Sequence, residues 1–329
     1  MLLLVLIVIA CLAAVATHLA LQWAISRQIL DHPNARSSHA TPTPRGGGLA
    51  IVLAFYVGIT GIWFAGHIDN RDFAALLCGI PVAAVGYVDD LRTVSPKWRI
   101  AVHAASTATA LSVLSPLPAL THTGGEISPW LSVLTYGVGI VWLTNLYNFM
   151  DGIDAMAGSQ AVAIGLIWAT YLPNSHALTA VVFAAAALGF LVHNWPPARI
   201  FMGDVGSGFL GFTCGILVLL FSRSTGTSPF IWFLPLLIFA CDATVTLVVR
   251  AMRGQPLSVA HRSHAYQHLT RRAGKHLPVS LGYMAATLII SFFGMPWTLK
   301  RPEHAFLALA FFSALIITTM IFLKAGRDD

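Results

Sequence analysis

The sequence predicts an all-α, polytopic integral membrane protein, and three observations carry that prediction. Hydrophobic residues fill 57% of the 329 positions and charged residues only 10%, against about a quarter charged in soluble domains. Apolar runs of about twenty residues, enough to cross a hydrocarbon core as a helix, recur from one end of the chain to the other. Short segments rich in Pro, Gly, Asp, Asn and His separate them. Residues 1–329 therefore read as one transmembrane domain.

Eleven runs qualify, near 2–23, 47–66, 72–88, 99–117, 131–147, 159–173, 177–193, 207–222, 229–249, 278–297 and 304–323. Ten is the alternative count, because several are short or interrupted. The first lacks a basic leader and exceeds a signal-peptide core, so it reads as a retained span. With the N-terminus outside and the C-terminus inside, the inside segments are about 24–46, 89–98, 148–158, 194–206 and 250–277. Those segments, their flanks and the tail hold 15 of the 19 Lys and Arg residues, as the positive-inside rule requires. So basic a face attracts anionic lipid or an anionic soluble substrate. Nucleic acid is not expected, because no array of basic and aromatic residues is present. Cys11, Cys78, Cys214 and Cys241 lie in apolar runs without CxxC or Cys/His spacing, and read as core residues rather than disulfide partners or zinc ligands.

The polar segments follow in order. Residues 31–48, DHPNARSSHATPTPRGGG, are too rich in Pro, Asn, Ser and Gly for a long helix. Arg36, His39 and Arg45 are spaced as in an anion-contacting arm, and Gly46–Gly48 lack the GK[ST] ending of a P-loop. A plain topogenic loop is the alternative. In GYVDDLRTVSPKWR, Asp89 and Asp90 stand about 100° apart on a helix, so one can face a cavity while the other meets a loop. Two such carboxylates repel unless a cation or Arg92 separates them, which points to a magnesium site or a general base. Trp98 reads as an interfacial anchor.

The next segment, NLYNFMDGIDAMAG at 145–158, puts Asn145, Asn148, Asp151 and Asp154 at the mouth of a span. Asp151 and Asp154 are i, i+3 and would share a helical face. Carboxylates at a membrane boundary are costly unless they hold a cation, or a phosphate through a cation. In HNWPPARIFMGDVGSGFLGF, Gly206, Gly208 and Gly211 spell GxGxxG, but no strand precedes it and a dinucleotide fold is rejected. Glycines at a helix N-terminus let phosphate approach free N–H groups, while Gly211 and Gly215 form a GxxxG better suited to helix packing. Asp242 sits about 12 Å inside its span by helical rise, as a functional carboxylate or a structural hydrogen-bond acceptor. In HRSHAYQHL, His261, His264 and His268 would form one imidazole face on a helix, with Arg262 beside it as an anion-recognition surface. Zinc is the weaker reading.

Taken together these segments resemble the polyprenyl-phosphate sugar-1-phosphate transferases, the glycosyltransferase family 4 group that includes MraY and WecA. Asp89 and Asp90 match its aspartate pair, Asn145 to Asp154 its NxxNxxDGxD segment, and Phe201 to Gly206 its FMGDVG segment. HRSHAYQHL, together with 31–48, is similar to the WbpL-like branch that initiates O-antigen chains. The resemblance implies a bacterial inner-membrane enzyme with its site on the cytoplasmic face. Its reaction would be attack by undecaprenyl phosphate on the β-phosphorus of a UDP-N-acetylhexosamine, with UDP-FucNAc and UDP-QuiNAc as branch-specific donors, releasing UMP. It further implies Mg²⁺, with Mn²⁺ as the substitute, on Asp204, Asp89 and Asp90, these three also being the catalytic set. Asn145, Asn148, Asp151, Asp154, Phe201, His261, Arg262, His264 and Arg45 would bind substrate, with Phe201 stacking on uracil. An oligomer is compatible with all of this. Two rivals from other classes are a multi-spanning transporter and a polyprenyl-phosphate-binding protein without turnover; the first expects midplane charges and an inverted repeat, whereas nearly all the acids fall at helix ends.

Overall fold

The computed structural model describes all residues except 34–40, 123–124, 257–260 and 328–329. Every one of the eleven apolar runs is helical. The order is α1 (Leu2–Ser26), α2 (Gly48–Phe64), α3 (Asn70–Leu77), α4 (Gly79–Leu91), α5 (Pro96–Leu114), α6 (Pro129–Phe149) and α7 (Met156–Tyr171). Then come α8 (Asn174–Asn194), α9 (Asp204–Thr225), α10 (Pro229–Phe233), α11 (Leu237–Met252), α12 (Ala265–Ala273), α13 (Leu277–Lys300) and α14 (Ala305–Phe322). Among the described residues, seven helical stretches are long and apolar enough to cross a membrane, and the protein is multi-pass.

The boundaries follow local chemistry. Ser followed by Pro opens α5, α6 and α10, where the missing proline N–H is no loss and its φ is already helical. Left-handed Gly226 and Gly274 close α9 and α12, the usual glycine C-cap. Two runs expected to be continuous are interrupted. The 72–88 run changes helix at Cys78, and a 3₁₀ turn at Leu234–Leu236, containing Pro235, separates α10 from α11.

Helix α9 is the axis of the packing, buried along its whole apolar length. Small residues let its neighbours reach its backbone: a Cβ at Gly48 of α2 would strike Gly206, and one at Gly86 of α4 would strike the Asp204 carbonyl. Gly211 and Gly215 pack on Leu143, Thr144 and Ile140 of α6, the helix-packing use anticipated for the GxxxG. At the far end Arg223 pairs with Asp72 of α3 at 3.2 Å. Outward faces of α1, α13 and α14 stay apolar, as Leu3, Phe292 and Phe311 show, which suits lipid rather than water.

The first polar segment forms a two-residue antiparallel ladder, β1 (Leu30–Asp31) with β2 (Thr43–Pro44). Arg36 and His39 lie outside the described residues. The backbone then stitches this segment to the FMGD stretch: Phe201 N–H donates to the Pro44 carbonyl at 2.8 Å and Gly47 N–H to the Phe201 carbonyl at 3.0 Å. The four cysteines are free.

Close backbone packing at Gly86 gives a direct test. Gly86→Val should cost about 1–3 kcal/mol or more through overpacking against α9, whereas Gly61→Ala, with no atom near the added methyl, should be tolerated. Thermal unfolding in detergent checks both, and equal melting temperatures would contradict the packing described.

Candidate active site

Three chain segments converge on the N-terminus of α9. The first turn of a helix leaves N–H groups without intrahelical partners, and inside a membrane protein each must be satisfied. Asp90, from the last turn of α4, does this: its Oδ1 accepts from Asp204 N–H at 2.9 Å and its Oδ2 from Val205 N–H at 3.1 Å. The next two, of Gly206 and Ser207, reach the Gly203 carbonyl. Gly203 has φ +76°, and any Cβ there would meet the Asp90 carboxylate, so this turn demands glycine. The N–H groups expected to receive a phosphate are therefore occupied by a protein carboxylate.

Asp204 thereby projects into the site. Its Oδ1 accepts from Asn148 Nδ2 at 2.8 Å, and its Oδ2 lies 2.6 Å from Arg99. Arg99 also holds Asp89 at 2.7 Å, and Asp89 accepts from Val94 N–H at 2.6 Å. Arg99 thus joins Asp89 to Asp204, and does not separate Asp89 from Asp90, the pair for which a cation or Arg92 is expected from the sequence. As the helical spacing anticipated, Asp90 turns into the bundle and Asp89 toward the following loop.

The 150–155 stretch is not helical, so Asp151 and Asp154 do not share a helical face. Helix α6 stops at Phe149, and Ala155 takes a left-handed φ of 62° while donating its N–H to Asn194 Oδ1 at 2.9 Å. The loop nonetheless delivers both carboxylates to one place. Asp154 Oδ2 accepts from Ala198 N–H at 3.1 Å, and Asp154 Oδ1 lies 3.1 Å from His276 Nδ1. Asn194 completes the link by donating to the Ile200 carbonyl at 2.9 Å.

These groups line a cavity of about 270 Å³ with Asp31, Arg45, Asp90, Asn148, Asp151, Asp154, Phe201, Asp204, Gln267 and His276 on its walls. A liquid water occupies about 30 Å³, so the cavity admits a multi-atom group. Five of its walls are carboxylates and one is a guanidinium. Two groups on its walls have hydrogen-bonding capacity to spare among the described residues: the Asp151 carboxylate has no donor, and Arg45 Nε is buried without a partner. Burial first, then the charges of Asp204, Asp90 and Asp154, push the Asp151 carboxyl well above the ordinary carboxylate range, because its ionised form is penalised by both.

Among the described residues, no three His, Cys, Asp or Glu side chains already stand as a ready-made metal set. The donor chemistry still fits a hard divalent cation: the oxygens are carboxylate, one of them unpaired, amid excess negative charge. Asp151 would be the first residue to hold it, and Asp204, whose oxygens rest on Asn148 and Arg99, would join it by releasing Arg99. Asp90 spends both oxygens on backbone N–H groups, and Asp89 spends its own on Val94 and Arg99.

Of the residues singled out from sequence, the structure brings Asp90, Asn148, Asp151, Asp154, Phe201, Asp204 and Arg45 together on the cavity. Asn145 is one turn deeper in α6 and donates to the Val141 carbonyl at 2.7 Å. The histidine motif differs from expectation. Helix α12 begins only at Ala265, so His261 and His264 precede it and only His268 lies within it. His264 is buried 3.7 Å from Asp242, and neither His261, Arg262 nor His264 lines the cavity. Two caps meet at this boundary: Asp242 accepts from the N–H groups of Ala265 and Tyr266, and Gln267 Oε1 from His264 N–H. Arg99, Gln267 and His276 carry no motif of their own, and only their pairing or lining in space marks them.

The chain is similar to known proteins over most of its length. Residues 73–222 match the family described as Glycosyl transferase family 4. A Bacillus subtilis protein named probable undecaprenyl-phosphate N-acetylglucosaminyl 1-phosphate transferase is 29% identical over 84% of this chain and 77% of its own length. A Mycolicibacterium smegmatis decaprenyl-phosphate N-acetylglucosaminephosphotransferase is 27% identical over 96% and 88%. A Deinococcus radiodurans phospho-N-acetylmuramoyl-pentapeptide-transferase is 27% identical over 74% and 82%. The segment that matches glycosyl transferase family 4 contains α4, the 145–158 loop and most of α9, which supply Asp90, Asn148, Asp151, Asp154 and Asp204 to the cavity.

Proposed function

We propose that the protein transfers an N-acetylhexosamine 1-phosphate from a UDP-sugar to undecaprenyl phosphate, releasing UMP, at the cytoplasmic face of a bacterial inner membrane. The product would open O-antigen or related envelope polysaccharide synthesis, with 6-deoxy donors such as UDP-FucNAc or UDP-QuiNAc suggested by the histidine segment. The observation that supports this best is the pair of opposites with capacity left open in the cavity: the buried, unpartnered Nε of Arg45 and the Asp151 carboxylate without a donor. A lone anion would be repelled by the five carboxylates, and a lone cation would leave the Arg45 Nε unmatched. A diphosphate accompanied by a divalent cation satisfies both.

An oxygen of the lipid phosphate attacks the β-phosphorus; the bond from that phosphorus to the bridging oxygen breaks, and UMP leaves with the bridging oxygen. A phosphate monoester has a second pKa of about 6 and is mostly dianionic at neutral pH, so Asp89 need not act as base. Its role is to hold Arg99, which offsets the charge of Asp204. Asp90 orients Asp204, and Asn148 fixes the Asp204 carboxylate for ligation. Arg45 binds a donor phosphate, and Phe201 offers its ring to the base. The cation, Mg²⁺ or Mn²⁺, would neutralise the charge that builds on the diphosphate.

Purified protein with undecaprenyl phosphate, Mg²⁺ and a panel of UDP-N-acetylhexosamines should release UMP only when lipid and metal are both present. Asp204→Asn should lower turnover by at least about 100-fold; near wild-type turnover in folded protein would remove its assignment. Arg45→Ala should raise the donor KM by about tenfold, the effect of losing one charge-assisted contact.

The raised pKa of Asp151 has a stability consequence whose sign is definite. A carboxyl with a folded pKa above its unfolded value contributes stability that is full below the unfolded pKa and lost as pH rises through the folded one. Metal-free protein should therefore melt lower as pH is raised from about 4 toward neutrality, and Asp151→Asn should flatten that slope. Mg²⁺ should raise the wild-type melting temperature at neutral pH and leave Asp151→Asn unmoved. Melts in chelator and in Mg²⁺ across pH check this, and parallel curves for the two proteins would exclude Asp151 as the ligand.

A further inference from the structure

Asp242 is the most deeply buried carboxylate among the described residues, the cavity does not use it, and its surroundings are unusually complete. It is fully buried in α11. Oδ1 accepts from Ala265 N–H at 2.9 Å and from the Thr246 hydroxyl at 3.2 Å. Oδ2 accepts from Tyr266 N–H at 3.1 Å and from the Tyr283 hydroxyl of α13 at 2.6 Å. Four donors thus meet two oxygens, and two of them are the first N–H groups of α12. An amide in this position would turn an NH₂ toward two donors, so the site accepts a carboxylate and not its isostere.

The start of α12 in turn touches the active site. The Tyr266 hydroxyl donates to the Phe149 carbonyl at 3.1 Å, at the point where α6 ends and the 150–155 loop begins. It also stands where a Cβ on Gly152 would be, so the ring lies flush against the loop that carries Asp151. Gln267, the next residue, lines the cavity itself, and its Oε1 accepts from His264 N–H at 3.1 Å. A continuous chain of hydrogen bonds and contact runs from Asp242 through the first turn of α12 to the wall of the cavity.

We infer that Asp242 is a positioning residue: by capping α12 it sets Tyr266 against the 149–152 stretch and Gln267 on the cavity wall, and so shapes the pocket for the donor substrate. The substrate-side half of this inference rests on the transferase reading above. A carboxylate that served only to hold the bundle together would affect melting without altering donor affinity or the local order of α12.

The test compares wild-type full-length protein with Asp242→Asn in detergent, by amide hydrogen exchange and by UMP-release kinetics. Exchange in residues 265–270 should become about tenfold faster, the loss expected when a charged cap is removed, while α9 amides stay protected. The KM for the nucleotide-sugar should rise by about tenfold with a much smaller change in kcat. Unchanged exchange in α12, or an equal loss of protection in α9, overturns the inference. Should Asp242→Asn fail to fold, Tyr266→Phe decides: it keeps the backbone cap and removes the link to Phe149, and should raise the donor KM about threefold or more with α12 still protected. A donor KM unchanged in Tyr266→Phe overturns the route from Asp242 to the pocket. Absence of UMP release from wild type would defeat the transferase reading alone, since the exchange comparison still decides whether Asp242 orders α12.

Discussion

The contact on which the rest of the site depends is the carboxylate of Asp90 seated on the first two N–H groups of α9. It does three jobs through one geometry. It satisfies backbone donors that have no water to turn to, sets a negative charge at the positive end of a helix dipole, and joins α4 to α9 where Gly86 and Gly203 leave no room for side chains. The side chain of Asp204, first residue of that helix, then has one direction available. The placement of the most reactive-looking carboxylate is a consequence of how a neighbouring helix ends.

Asp242 repeats the device at α12, again with both oxygens taken by successive N–H groups. A carboxylate that caps a helix from a different helix is worth more than a local cap, because it fixes where the second helix starts and how it is aimed. In a bundle whose helices are uniformly apolar, dispersion packing alone discriminates weakly between registers. Charged caps supply that discrimination, and in both places the residues they aim lie on the same cavity.

The cavity itself is electrostatically unfavourable when left to its own residues. Arg99 offsets Asp89 and Asp204, and His276 stands by Asp154, but Asp151 is surrounded by like charge. Such local destabilisation is common where a site is built for a ligand rather than for the fold. The wholly buried α9 and the small-residue contacts around it hold the carboxylates together despite their repulsion.

Much of this was legible in the residues alone. Helical class, the positions of all eleven apolar runs and the gathering of Asp90, Asn148, Asp151, Asp154, Asp204 and Phe201 follow from hydropathy and from motif, because bilayer thickness sets helix length and polar groups must collect where helices end. What the chain could not disclose is which donor each carboxylate meets. Asp89 and Asp90 are adjacent and chemically identical, yet one takes Arg99 and the other the end of α9. His261, His264 and His268 have perfect helical spacing, yet α12 begins after the second of them, where Gln267 caps His264 N–H and Asp242, more than twenty residues earlier, caps Ala265. Arg99, Gln267 and His276 belong to no motif and join the site only through packing. Periodicity and composition are local properties and are written in the sequence; a hydrogen-bond partner is a property of distance in space, and only the assembled bundle decides it.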